Sequence, residues 1–479
     1  MMSSSSTLGA ASAPATDFRS SFRPAPYSLG PFGRVLVAVY VMAIGVPLFI
    51  YPTHHITNLN LIWDPSNPAR ADLQPLRVHW AVGMAGLFVL YLILRLIRLE
   101  RPAVPPRSSL IAALLACFAI ALLSGFSSNP SPLNLVYFVQ TVVPIVGFFA
   151  AAAFVGSIRR ARTLCFLLLG ATVFSVAGIM LLALHYDVFS GDLAAANRLA
   201  RAIPQVRDYY PFVVAVALAL ALALVRSETR VAVRLSIWCG ILILLSFYAV
   251  NWSRMGMVML AIVVIPPFFS RFRNSSKMAR YRWSLVAIIL LATVLAATQF
   301  GIMRERFTHS LSASDNRRVQ YAVDAMKIIA SHPLIGRGFF PEWDHDPFPN
   351  RDLRIRRIFR AHNQYLDYGV RAGLPPLLVL VVIIFAVGRD VRKSLKGAAP
   401  DSFRRHLLLG LASALVAAAV GNLTQLLLTQ AQTGSLAWLL VGITVNVTRL
   451  GDSDTPERST ATELTVDGTL SAPNATRDA

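Results

Sequence analysis

Residues 209–225 read YYPFVVAVALALALALV, seventeen positions without a charged side chain. At a rise of about 1.5 Å per residue, a run of this length can cross most of a hydrocarbon core of about 30 Å. Lipid offers the backbone no hydrogen-bond partners, so such a run satisfies its N–H and C=O groups internally, as a helix. The alternating apolar and polar period of a membrane barrel strand is absent.

Working outward, the same reading applies to stretches at about 33–51, 80–96, 109–126, 135–156, 164–185, 233–251, 255–270, 283–301, 374–390, 406–423 and 432–448, twelve spans in all. The expected fold class is an all-α integral membrane protein of about 12 transmembrane helices. Composition agrees: the 479 residues are 55% hydrophobic and 14% charged, against about a quarter charged in soluble proteins. A net charge of +21 would suggest nucleic acid in a soluble protein. In a membrane protein it reflects orientation and contact with anionic lipid headgroups, so membrane lipids are expected as partners and nucleic acid is not. Cys117, Cys165 and Cys239 are scattered through apolar stretches with no CxxC pair, which suits buried packing. The first 32 residues, rich in Ser, Ala and Pro, read as a disordered cytoplasmic tail and not as a signal peptide, and 449–479 reads as a second one.

Between these tails the chain divides into a bundle of nine spans over 33–301, a long polar segment over 302–373, and three further spans over 374–448. Arginine and lysine in short loops resist translocation. The even loops hold 21 of them, among them Arg159, Arg160, Arg162, Arg404 and Arg405, and the short odd loops hold six. Both termini are therefore expected in the cytoplasm. The segment 302–373 is expected on the outer face, with the loop 186–208 and the tight turn Asn251-Trp252-Ser253-Arg254. Its own twelve basic residues do not oppose this, since long loops translocate largely regardless of charge.

Within the outer segment, Ser312-Ala313-Ser314-Asp315 has the spacing of a capping box and opens a helical pattern. Val319, Val323, Met326 and Ile329 or Ala330 recur at three or four residues and predict one buried stripe. His332-Pro333 ends the helix, and Gly336-Arg337-Gly338 makes a turn that a Cβ would obstruct. A second short helix is predicted from about Ala361 to Arg371, with His362 on it.

His362 is the candidate general base, because imidazole can take a hydroxyl proton near the working pH; the bland alternative is an interfacial histidine bonded to a carbonyl. Asn363, Arg360 and Arg371 stand beside it as candidate substrate-binding residues. Arg254 ends a loop only a few residues long. It either snorkels to phospholipid or faces a polar cavity, where a guanidinium suits phosphate oxygens. Arg198, Arg201 and Arg207 precede the sixth span on the same side and could complete a phosphate clamp, Arg207 being nearest the membrane. The run Arg351, Arg354, Arg356, Arg357 and Arg360 reads first as a solvated or headgroup-facing stripe. Glu342, Asp344, His345 and Asp346 are a weak metal signal, and no metal is expected.

These residues resemble the O-antigen ligase and O-antigen polymerase membrane proteins of Gram-negative bacteria. That family's outer loop carries a histidine, a polar residue, nine residues and a glycine, matched here by His362-Asn363, Gln364 to Ala372, and Gly373. The stretch from Arg317-Arg318 to His332-Pro333 and Gly336-Arg337-Gly338 is similar to its amphipathic helix and turn, and Ser253-Arg254-Met255-Gly256 to its Ser-Arg-Gly element. Pro376 departs from the Gly, Thr or Tyr usual in ligases three residues after the motif glycine. The resemblance implies metal-independent and cofactor-free glycosyl transfer from an undecaprenyl-pyrophosphate-linked glycan at the periplasmic face of the inner membrane. A ligase would pass the glycan to a lipid A-core glycolipid, a polymerase to another glycan repeat. It implies His362 as base, with Arg254 and Arg207 at the departing pyrophosphate. A transporter or flippase of lipid-linked sugars is the competing class. No Gly-rich nucleotide loop follows a strand pattern.

Overall fold

The computed structural model describes residues 31–45, 108–128, 141–190, 209–269, 318–339 and 361–450, apart from positions 252, 401 and 430, together with a few isolated residues. All regular structure among them is helical: α1 (Pro31–Gly45), α2 (Ser108–Ser128), α3 (Val146–Phe154), α4 (Ile158–His185), α5 (Tyr210–Ser227), α6 (Val231–Val250), α7 (Arg254–Phe269), α8 (318–331), α9 (Gln364–Ala372), α10 (Leu374–Gly397), α11 (Phe403–Gly421) and α12 (Ala431–Val447). Six of these, α2, α4, α5, α6, α10 and α11, are long and apolar enough to cross a membrane, while α1, α3, α7 and α12 carry shorter apolar runs. Ten of the twelve expected spans thus coincide with helices of a multi-pass membrane protein; those at 80–96 and 283–301 lie outside the described residues.

One expected span is not a single helix. Over 135–156 the chain makes a 3-10 turn at Val143–Ile145 before α3 begins. The cause is Pro144, which lacks an N–H and crowds the preceding turn. At another place the helix outruns the apolar stretch. The α4 helix starts six residues before the expected 164 because Ser157 caps it, its hydroxyl accepting from Arg160 N.

The most buried helix is the centre. Nearly every side chain of α5 is buried, and α11, α7, α6 and α4 pack around it. The backbones of α5 and α11 come close at Gly410, where a Cβ would stand 2.8 Å from Ala219 O. A second close crossing joins α3 to α12: Gly147 lies on the backbone of Ser435, and a Cβ on Gly442 would stand 2.6 Å from Phe148 O. Small residues at crossings let dispersion contacts replace the hydrophobic drive that lipid does not supply.

Contacts between helix termini give the described bundle two ends of different chemistry. One end gathers the basic residues, each with work to do. Arg162 pairs with the buried carboxylate of Glu228 and lies over the rings of Phe166 and Phe403, joining α4, α5 and α11. Arg404 donates to the Val447 and Thr448 carbonyls at the end of α12, and Arg405 to Leu395 O and Ala398 O at the end of α10. Cations there satisfy carbonyls that the helices leave unpaired and complement the helix dipole. The other end carries α8, α9 and the start of α7.

Candidate active site

The helix α9 is only nine residues long, too short to be stable alone, and three sets of contacts hold it. The first is the turn after α8. That helix stops at 331, as the proline predicts, and the chain wraps the C-terminus of α9: Arg337 N donates to Val370 O at 2.7 Å, Gly338 N to Arg371 O at 3.0 Å, and Leu374 N to Pro333 O at 2.7 Å. These N–H groups satisfy the last carbonyls of α9 and the incoming turn together. Gly336 makes this possible. Its φ is +65°, and a Cβ would overlap the backbone of Arg371 and Ala372. Substituting Gly336 by alanine should therefore undock the turn. We expect protease cleavage of the turn to speed up while the bundle stays inserted.

The second set is the face of α8, where Ile329 packs as expected and the rest of the stripe is corrected. Val319 and Met326 are 64% and 53% exposed. The residues that pack are Ala325, Ile328 and Ile329, against Ala361, Leu366 and Val370, with Tyr321 a turn earlier. Ile329 enters the space left by the absent side chain of Gly369, and small Ala325 allows close approach. Shape on α9, invisible to a count of apolar residues, chose the face. The third set comes from the bundle: Gly125 of α2 lies against Arg371 and Ala372, and Tyr365 OH donates to Ala419 O at 2.9 Å.

His362 lies just before α9, where a helix from Ala361 would have included it. Asn363 is the cap: its Oδ1 accepts from Tyr365 N at 3.0 Å and Leu366 N at 3.2 Å. Its carbonyl-type oxygen is thus engaged by the helix it starts. His362 is exposed, its ring stacks on Tyr321 with centroids 5.9 Å apart, and its φ is +50°. Left-handed geometry is uncommon outside glycine and costs about 1–2 kcal/mol per residue. Such outliers cluster at functional sites, where surrounding contacts over-determine them.

Arg371, expected at the substrate, is 4% exposed. Its Nε donates to Asp367 Oδ2 at 2.5 Å and its Nη1 to Phe339 O at 2.6 Å. These contacts make it a strut that fixes the far end of the turn to α9. The Asp367 and Arg371 spacing of four residues on one helix was a readable signal for that pairing. Buried Tyr368, edge-on to Phe118, lies between them; burial pushes its phenol up, the Asp367 carboxylate adds to this and Arg371 opposes it.

Arg254 is the first residue of α7 and is exposed. The turn beneath it is tightly built: Asn251 Oδ1 accepts from Ser253 N at 2.9 Å, and Ser253 Oγ from Gly256 N at 3.3 Å. A Cβ on Gly256 would stand 3.0 Å from Pro211 Cβ, so this turn is pressed against the start of α5. One turn on, Met259 reaches Gly421 at the end of α11, next to Asn422, whose carbonyl accepts from Gln364 N at 2.8 Å. His362 and Arg254 therefore meet the same corner of the bundle. Arg198, Arg201, Arg207 and Arg360 lie outside the described residues, as do Glu342, Asp344, His345 and Asp346.

A histidine in strained geometry beside a capped short helix, at the bundle end where an apolar helix begins on Ser-Arg, is the arrangement that the comparison with known families bears on. Residues 213–381 match the O-antigen ligase family. The matched stretch is about a third of the chain. It runs from the first turn of α5, through Arg254 and His362, into α10, so the matched region holds both candidate residues and most of the central helix α5. No curated protein matches the chain.

Proposed function

We propose that the protein transfers an undecaprenyl-pyrophosphate-linked oligo- or polysaccharide to a lipid A-core glycolipid at the periplasmic face of the inner membrane. The observation that carries this reading is the held, strained His362 at the same bundle corner as Arg254, inside the O-antigen ligase region. His362 takes the proton of the acceptor hydroxyl as that oxygen forms a bond to the anomeric carbon. The bond from that carbon to pyrophosphate breaks, and the leaving group departs with the electron pair. Arg254 meets the charge that builds on its oxygens, a preorganised electrostatic contribution. A cation at the N-terminus of α7 stands at the disfavoured end of the helix dipole. An incoming pyrophosphate would be attracted by the guanidinium and the helix end together.

Arg207 is three residues before α5 begins at Tyr210 and is assigned the same role from its position in the chain. Arg198, Arg201 and Arg360 are assigned to glycan or headgroup binding. The His362 end is assigned to the periplasm because the basic clusters gather at the opposite end. Twelve spans, a periplasmic segment over 302–373 and cytoplasmic termini follow from that orientation. A second reading, polymerisation of glycan repeats, is favoured by Pro376, which takes the place of the small or polar residue of ligases and forms part of the first turn of α10.

Purified full-length protein with a synthetic undecaprenyl-pyrophosphate glycan tests the reading. Product on lipid A-core supports ligation, and elongation of a second lipid-linked repeat instead supports polymerisation. Failure to transfer to either, with movement of the donor across a vesicle bilayer, would replace the enzyme by a transporter.

A further inference from the structure

Gln364, the first residue of α9, is 0% exposed. Its main-chain N–H donates to Asn422 O at 2.8 Å. Its side-chain Oε1 accepts from Leu428 N at 3.0 Å, from Thr429 N at 3.2 Å and from Thr429 Oγ1 at 3.4 Å. One buried glutamine thus ties the start of α9 to the non-helical linker between α11 and α12, whose amide groups would otherwise lack partners away from water. The three bonds all use Oε1, and Nε2 has no partner among the described residues.

Gln364 is two residues from His362. Between them stands only Asn363, whose side chain is occupied capping the helix. On its other side His362 follows Ala361, buried against α8. The left-handed turn at His362 is therefore clamped between two fixed points, the α8 face and the linker at 428–429. Release of either lets the backbone relax out of the costly φ and turns the imidazole away from its aim.

We propose that Gln364 is a positioning residue, through which the linker 422–429 holds the aim of His362. This rests on the reading of His362 as the base, and the experiment separates the two. Full-length Gln364→Met, which keeps the shape but loses the acceptor, is compared with Gln364→Glu, which keeps an acceptor oxygen for all three donors. Each is made in the unchanged protein and in His362→Asn. Transfer is followed as kcat and KM with a synthetic undecaprenyl-pyrophosphate glycan and lipid A-core or a second lipid-linked repeat, whichever the unchanged protein uses.

Gln364→Met is expected to lower kcat about tenfold or more, the scale set by misplacing a catalytic group, with donor KM within about twofold. Gln364→Glu is expected to retain most of the rate. In the His362→Asn background Gln364→Met is expected to change nothing further, because a residue that acts through His362 has nothing left to act on. Equal losses in both backgrounds, or no recovery with glutamate, would overturn the positioning role and leave the base intact. If His362→Asn transfers as fast as the unchanged protein, the base reading fails and the positioning role with it. Should Gln364→Met not insert, Thr429→Val removes one of the three bonds; it must lower kcat in the same direction, and an unchanged kcat counts against the proposal.

Discussion

Replacing His362 by alanine is expected to lower glycan transfer by about 10²–10⁴-fold, the usual contribution of a positioned general base, without loss of protein from the membrane. The two outcomes separate because of where the residue sits. His362 is exposed and its ring touches Tyr321, so little packing is lost with it. Alanine is nevertheless poorly suited to a φ of +50°, and the loop would shift. His362→Asn and His362→Gly are therefore the cleaner variants, since asparagine tolerates left-handed geometry and glycine adopts it at no steric cost. Glycine should stabilise the docked loop by about 1 kcal/mol while transfer falls as far as in the alanine variant. A stability gain with activity loss at one position is the mark of strain kept for function. Transfer at the unchanged rate in His362→Asn would remove the residue from the reaction.

How far the site could be read from the sequence follows the range of the forces that build it. Span length is local, and ten expected spans fall on helices. The bias of arginine toward the even loops is also local, and the clusters among the described residues gather at one end of the bundle, where Arg404 and Arg405 close neighbouring helices. The stop at His332-Pro333 and the turn at Gly336 were legible because proline and glycine act through their own backbones. Reading failed where a distant partner decides. The buried face of α8 follows the gap at Gly369, some forty residues on. Arg371 looked available for substrate because its neighbourhood is basic, yet Asp367 and Phe339 O absorb its charge and its donors. Asn363, expected beside the histidine as a ligand, also ends the extended chain and starts α9. Nothing near Gln364 announces a partner at Thr429.

Arg254→Lys is expected to slow transfer by about tenfold or more, and Arg254→Ala by about 10²–10³-fold, the range for loss of one preorganised donor to a developing oxyanion. The conservative change is the more informative one. Lysine keeps the positive charge and a long apolar stem, so it would serve equally well as a headgroup anchor at a membrane surface. It loses the planar fork that binds two phosphate oxygens at once. The turn that carries Arg254 is held by Asn251, Ser253 and the contact of Gly256 with Pro211, none of which needs the guanidinium. That rigidity is also what gives the bidentate contact its value. A fork held on a packed turn pays little entropy to meet the leaving group, whereas lysine's flexible stem must be ordered each time. The loss should accordingly appear in kcat more than in donor KM, because charge on the leaving oxygens is greatest in the transition state. Near-normal turnover in Arg254→Lys, with lower membrane retention in Arg254→Ala, would instead assign the residue to lipid.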